Sequence, residues 1–239
     1  MKSLILGTAA LAFSAGLALA QDVVRLGTEG AYPPYNFIND NGEVDGFERE
    51  LGDELCKRAA LNCVWVTNDW DSIIPNLLSG NYDVIIASMS ITDERKQVID
   101  FAQEYTPPSV SSYVGLAEDA DIEGGVVAAQ TGTIHANHVV DTGATLLEFA
   151  NPEDTIAAVR KGEADAALAD KDFLSPYVAE GDLVFVGEDV QLDGGIGAAF
   201  RKSDPELRDK FDAAIQSMKD DGTLNALIAK WLGAESPLF

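Results

Sequence analysis

Ser79-Gly80-Asn81-Tyr82-Asp83-Val84-Ile85-Ile86-Ala87-Ser88 and Lys161-Gly162-Glu163-Ala164-Asp165-Ala166-Ala167-Leu168-Ala169-Asp170 share one plan. A helix ends, a Gly stops it, and a short apolar run finishes on a polar residue. A continuous apolar run bounded by turn residues reads as a strand buried on both faces. Finding the unit twice predicts two α/β lobes. In open α/β sheets, ligands bind beyond the carboxyl ends of the strands. That rule selects Ser88, Asp170 and the loops after Thr28 and Ala129.

The surrounding sequence extends the pattern. Val23-Val24-Arg25-Leu26-Gly27-Thr28 is a β run, followed by a turn-rich stretch over 29–46. Asp45 reads as a helix N-cap with Glu48 as its capping-box partner. Phe47, Leu51 and Leu55 recur at helical spacing on one face. Val64-Trp65-Val66 is a strand, and Asn68-Asp69-Trp70-Asp71 leads into a helix with Pro75 in its first turn. After a break over 109–125 come a strand at 126–129, a helix opened by Thr131-Gly132-Thr133, and a strand at 146–149. Asn151-Pro152 marks a further helix start. Gly194-Gly195-Ile196-Gly197 reads as a flexible stretch returning to the first lobe, and 204–232 as two amphipathic helices with a turn at Asp221-Gly222-Thr223. Strands alternating with helices predict mostly parallel sheets.

The bulk properties set the setting. Lys2, an apolar run over 4–19 and Ala18-Leu19-Ala20 make a secretory signal peptide over 1–20, with the mature chain starting near Gln21. The run is shorter than the ~20 residues of a membrane span. With 239 residues, 46% of them hydrophobic, the chain can build a real core. A net charge of −24 opposes binding to nucleic acid or an anionic lipid surface. In an oxidising export compartment the pair Cys56 and Cys63 reads as a disulfide. Without a His pair at ligand spacing they do not make a metal site, no cofactor motif stands out, and His135 and His138 read as surface helix residues.

Over the whole mature chain the residues resemble the periplasmic solute-binding proteins of amino-acid ABC transporters, in the branch for lysine, arginine, ornithine, histidine and opines. The strings are Gly27-Thr28-Glu29-Gly30-Ala31-Tyr32-Pro33-Pro34, Gly46-Phe47-Glu48, Trp70-Asp71, Ser88-Met89-Ser90-Ile91-Thr92-Asp93-Glu94-Arg95, Gln130-Thr131-Gly132-Thr133, and the closing Asp221-Gly222-Thr223 with Lys230-Trp231. Their order and spacing are specific; Arg49 departs from an apolar family position. The resemblance implies a periplasmic-binding-protein-like type II fold of two α/β lobes joined by two hinge strands. Lobe one would be 21–110 plus 193–239, and lobe two 111–192. It implies a monomer in the periplasm that closes over an amino acid and hands it to a membrane permease, without catalysis.

An amino acid brings a carboxylate and an ammonium, and each needs a charged partner in a partly dry cleft. By resemblance, Arg95 is the carboxylate clamp, its planar fork suited to the task; the plainer reading is a surface Arg at a helix start. Thr133, with Thr131 beside it, offers a helix N-terminus to the same carboxylate. Asp170 receives the ammonium, and Ser88 and Ser90 add polar contacts. Trp70 stacks on the ligand side chain with Tyr32 facing it; a core Trp is the alternative. Tyr35 and Phe37 read as packing residues. Glu29 is left to meet a cationic side chain, while Ala87 and Ile134 stand where relatives have polar residues. The rival readings are a cyclohexadienyl dehydratase-like enzyme on the same fold and a binder of a neutral polar amino acid.

Overall fold

The computed structural model describes residues 23–192, 194–233 and 236–239. The expected leader, the mature start at Gln21 and the boundary residue Asp193 lie outside them. The chain enters with β1 (Val23–Thr28), β2 (Ala31–Tyr32), β3 (Asn36–Ile38) and β4 (Val44–Asp45). It continues through α1 (Phe47–Arg58), β5 (Asn62–Thr67), a 3₁₀ turn at Trp70–Ser72, α2 (Ile73–Leu78), β6 (Val84–Ile85), α3 (Asp93–Lys96) and β7 (Asp100–Thr106). Next come β8 (Ser111–Gly115), β9 (Val126–Gln130), α4 (Ile134–Thr142), β10 (Thr145–Phe149), α5 (Pro152–Lys161), β11 (Ala166–Asp170), α6 (Lys171–Ala179) and β12 (Val184–Val190). β13 (Ile196–Phe200), α7 (Pro205–Asp220) and α8 (Thr223–Trp231) complete it.

Two five-stranded sheets result, ordered β5-β1-β6-β13-β7 and β10-β9-β11-β8-β12, with a small sheet β2-β3-β4 beside the first. The chain passes between the two large sheets twice, after β7 and after β12. Four of the five strands in each large sheet share one direction, as expected, and the strand that each crossing delivers runs against them. β1 is parallel to β5 and β6, and β9 to β10 and β11. β13 is antiparallel to β6 and β7, and β8 to β11 and β12. A strand arriving from the other lobe enters its sheet at the cleft end, so it runs opposite to strands that finish there. β8 fills the apparent break over 109–125, and β13 fills the stretch expected to be flexible. Gly197 belongs in that buried strand because a Cβ there would lie 2.8 Å from Ile91 Cδ1.

α1 buries Leu51 and Leu55 against Leu26 and the C-terminal helices, as its spacing predicted. Its cap differs from the expectation. Gly46, not Asp45, is the N-cap, at φ +114° and so tight that a Cβ would lie 2.6 Å from Tyr35 O. Glu48 makes no capping box and is wholly buried. Arg49 lies along the helix surface and pairs with Asp53 at 2.8 Å. A disulfide between Cys56 and Cys63 fastens the end of α1 to β5. The predicted Asn151 cap and Pro152 start of α5 are present, with Asn151 Oδ1 accepting from the Glu153 N–H at 3.0 Å. Among the described residues, no helix is long and apolar enough to cross a membrane.

Candidate functional site

The carboxyl ends of β1, β6, β9 and β11 converge on a cleft between the two sheets. Its non-atom space, open mouth included, is about 480 Å³. Glu29, Tyr32, Trp70, Ala87, Ser88, Ser90, Arg95, Thr133 and Asp170 all line it. Thr131 does not; its N–H donates to Phe149 O at 2.9 Å, holding the start of the α4 turn. Gln130, His135 and Thr155 also line the cleft and were not singled out from sequence.

Arg95 leaves the first turn of α3, where the Thr92 hydroxyl accepts from its N–H at 3.2 Å. Its guanidinium donates to Ser90 O at 2.8 Å and lies 5.3 Å from the Trp70 ring centroid. Among the described residues no carboxylate forms an ion pair with it. Burial lowers its pKa to about 10, against the pull of Glu94 and Asp170. It therefore stays charged at neutral pH. Trp70 is both core and wall: it is 9% exposed and packs with Ile73, Leu77 and Ala87, which the polar residues around it concealed.

Asp170 ends β11 at the N-cap position of α6, where its side chain makes no cap bond. Its Oδ2 accepts from the Tyr32 hydroxyl at 2.8 Å, and its Oδ1 lies 3.4 Å from His135 Nε2. Burial opposes its ionisation, but His135, the Tyr32 hydroxyl and Arg95 outweigh it and hold the carboxyl below its ordinary value. His135 is thus not a surface residue. It is 6% exposed and meets Ser111 Oγ at 2.9 Å, because Thr133 caps α4 so that its first turn faces the cleft. The Thr133 hydroxyl accepts from the Ala136 N–H at 3.1 Å and donates to Gln130 O at 2.7 Å. Its donor is spent within the protein.

Side-chain hydrogen bonds span the cleft. Besides Tyr32 with Asp170, the Tyr35 hydroxyl donates to Asp172 at 3.1 Å, Gln130 Nε2 to Glu29 at 2.6 Å, and Trp70 Nε1 to Gly132 O at 3.4 Å. Tyr32 does not face Trp70 in a sandwich; its ring stacks on Phe173 at 4.4 Å. Tyr35, read as packing alone, is buried and bonded across the cleft. Burial raises Glu29 to about 7; the Gln130 bond opposes the rise, and Asp69, Glu48 and Asp71 add to it.

Residues 24–234 match the family model of the bacterial extracellular solute-binding proteins, family 3. The chain belongs to that family. A family 3 relative in Pseudomonas aeruginosa, an L-arginine-binding protein, is 33% identical over 97% of this chain and 96% of its own. The lysine/arginine/ornithine-binding periplasmic protein of Escherichia coli is 31% identical over 96% of this chain and 94% of its own. A crystal structure of a periplasmic His/Glu/Gln/Arg/opine family-binding protein from Silicibacter pomeroyi in complex with lysine superposes with TM-score 0.89. It is 68% identical and covers 90% of this chain and 100% of that one.

Proposed function

We propose that this chain captures an amino acid with a cationic side chain (arginine, lysine, ornithine or an opine) in the periplasm, by closing its two lobes over it. The observation that carries the reading is the charge set of the cleft. Arg95 is enclosed, charged and without a carboxylate partner among the described residues, and a buried cation in that state favours an anionic guest. Asp170 is ionised opposite it and receives the α-ammonium. Glu29, which accepts from Gln130 across the cleft, receives the cationic end of the side chain. Ser88 and Ser90 add polar contacts to the main-chain groups, and Trp70, already facing the Arg95 guanidinium, forms a wall. Relatives named for arginine and for lysine/arginine/ornithine, and a lysine complex on the same fold, support the side-chain class.

The lobes are 21–110 with 193–239, and 111–192, hinged at the two crossings. The leader over 1–20 is removed on export, and the closed monomer delivers its ligand to the permease of an ABC transporter. On this reading the chain binds and does not catalyse: Arg95, Asp170 and Glu29 answer the three charges of a basic amino acid.

A thermal-shift screen over amino acids and opines tests this. At a hundredfold excess over Kd, a ligand adds about 2.7 kcal/mol of stability, on the order of 5–10 °C for a chain of this size. Response to arginine, lysine, ornithine or octopine is expected. Tight binding of glutamate or leucine with no response to those four overturns the reading.

A further inference from the structure

Glu48 is a buried acid with no cation beside it among the described residues, and burial pushes its carboxyl above its ordinary value. It is 0% exposed, yet its three hydrogen-bond partners are all neutral donors. Oε2 accepts from Asn36 Nδ2 at 2.7 Å. Oε1 accepts from the Ser88 N–H at 2.6 Å and from the Tyr105 hydroxyl. A carboxyl held this way is costly to keep in a fold, and the helix it sits on does not use it as a cap. Its position asks for another explanation.

Each partner leads to the cleft. Ser88 lines it with backbone in the left-handed region, φ +49°, which a residue with a Cβ rarely adopts without something holding it. The Ser88 hydroxyl is buried and, among the described residues, has no hydrogen-bond partner. Asn36 relays in the other direction: its Oδ1 accepts from the Gly30 N–H at 2.7 Å and so fixes the turn that carries Glu29. Tyr105 lies near the end of β7, just before the chain crosses between the lobes.

We propose that Glu48 is the positioning residue of the lobe-one half-site, holding Ser88 in its left-handed turn and the Glu29–Gly30 turn in place through one buried carboxylate. The inference rests on the binding function proposed above. Ser88 offers its hydroxyl to the guest because its N–H is bonded back to Glu48. Glu29 offers its carboxylate at the side-chain end because Asn36 is oriented by the same group. The two ends of the ligand are therefore spaced by a residue that touches neither.

The chemistry demands a carboxylate and not an amide. Ser88 N–H is a fixed donor. The Asn36 amide cannot turn over to present its oxygen, because that oxygen already serves Gly30. In Glu48→Gln the new amide must point one N–H group at one of these donors, so one bond is lost and a donor faces a donor. A buried donor left facing a donor predicts roughly a 10- to 100-fold weaker affinity for lysine and arginine. A Leu55→Ala control, which destabilises the same lobe at the far end of α1, should keep affinity within about threefold of wild type. In a Ser88→Gly background, where glycine takes the left-handed turn freely, Glu48→Gln should cost less than it does alone.

The Ser88 amide proton reports on the same point in the ligand-free protein, whatever the ligand proves to be. In the wild type it should exchange slowly and resonate far downfield, and Glu48→Gln should shift it while leaving the Asp170 amide in place. Calorimetry of wild type, Glu48→Gln and Leu55→Ala with lysine, with amide spectra of each, makes the test. Glu48→Gln binding lysine within threefold of wild type, or an ordinary, fast-exchanging Ser88 amide in the wild type, overturns the proposal. If Glu48→Gln does not fold, the wild-type amide alone decides it. A wild type that binds no basic amino acid overturns the functional reading instead and leaves the amide measurement to decide this one.

Discussion

The two repeated segments differ in how they leave the sheet. In lobe one, β6 has two residues, and the chain breaks away through Ser88 at φ +49°. In lobe two, β11 runs five residues to Asp170 and passes directly into α6. Among the described residues, the first exit leaves an unpaired hydroxyl and, seven residues on, a cation with no acid partner. The second delivers a carboxylate already bonded to Tyr32 and set beside His135. On the proposed function, one motif gives an anion-receiving half-site braced from behind and a cation-receiving half-site braced from across the cleft. That asymmetry would match the polarity of an amino acid, which needs one of each.

The largest effect should come from breaking that pairing. Arg95→Ala leaves a ligand carboxylate without its cation, and Asp170→Asn leaves an ammonium without its anion. Either should cost about 3–5 kcal/mol of binding free energy, read by calorimetry with arginine. If one variant binds within a few-fold of wild type, the charge it removes is not the one that meets the main chain of the ligand.

Next in size is an effect confined to lobe one and to stability. Cys56 and Cys63 are seven residues apart, and opening so short a loop should cost about 2–3 kcal/mol. Cys56→Ser with Cys63→Ser should lower the melting temperature without changing the ratio of affinities for lysine and arginine. A changed ratio would mean that the end of α1 shapes the cleft.

Glu29 sharpens the comparison at the side-chain end. Glu29→Gln should weaken arginine by more than tenfold, at least ~1.4 kcal/mol, and leave glutamine-like ligands nearly untouched. The pH dependence has a definite sign. With Glu29 titrating near 7 in the free protein, a cationic ligand favours its ionised form, so binding below pH 7 must expel a proton. Affinity for arginine should fall as pH drops from 7 toward 5 and level off above about 8. Glu29→Gln should flatten that profile. An unchanged profile in the variant would assign the titration elsewhere.

The smallest effect belongs to the Tyr35–Asp172 bond, which spans the cleft without lining it. Tyr35→Phe should weaken all ligands equally by a few-fold, the net worth of one hydrogen bond, about 1 kcal/mol, because it favours the closed form and touches no guest. Unequal losses among lysine, arginine and ornithine would instead make Tyr35 part of ligand selection.

Part of the cleft was legible because its residues sit where a local pattern ends: Ser88 and Asp170 close apolar runs. Arg95 and Thr133 were legible through the family resemblance, since a helix start by itself marks only a surface Arg or an ordinary cap. Residues whose roles depend on distant partners were not legible. Glu48 looked like a cap because Asp45 stands three residues before it, while its real partners are 12, 40 and 57 positions away. His135 looked exposed because nothing local places the first turn of α4 against Asp170. Gln130 carried no signal beyond its place in a family string, since its bond to Glu29 joins the ends of strands in different lobes.

Periodicity, turn chemistry and residue type by themselves determined two α/β units, their helix starts, the paired cysteines and the strand ends where a guest could sit. These are short-range properties, set by which faces of a helix or strand are apolar and which residues tolerate a turn. Only the tertiary structure decided the antiparallel entry of β8 and β13, the burial of Glu48 and His135, and the bonds across the cleft. Those depend on chain crossings that bring remote segments together, where desolvation and hydrogen bonding act between residues that no local pattern connects.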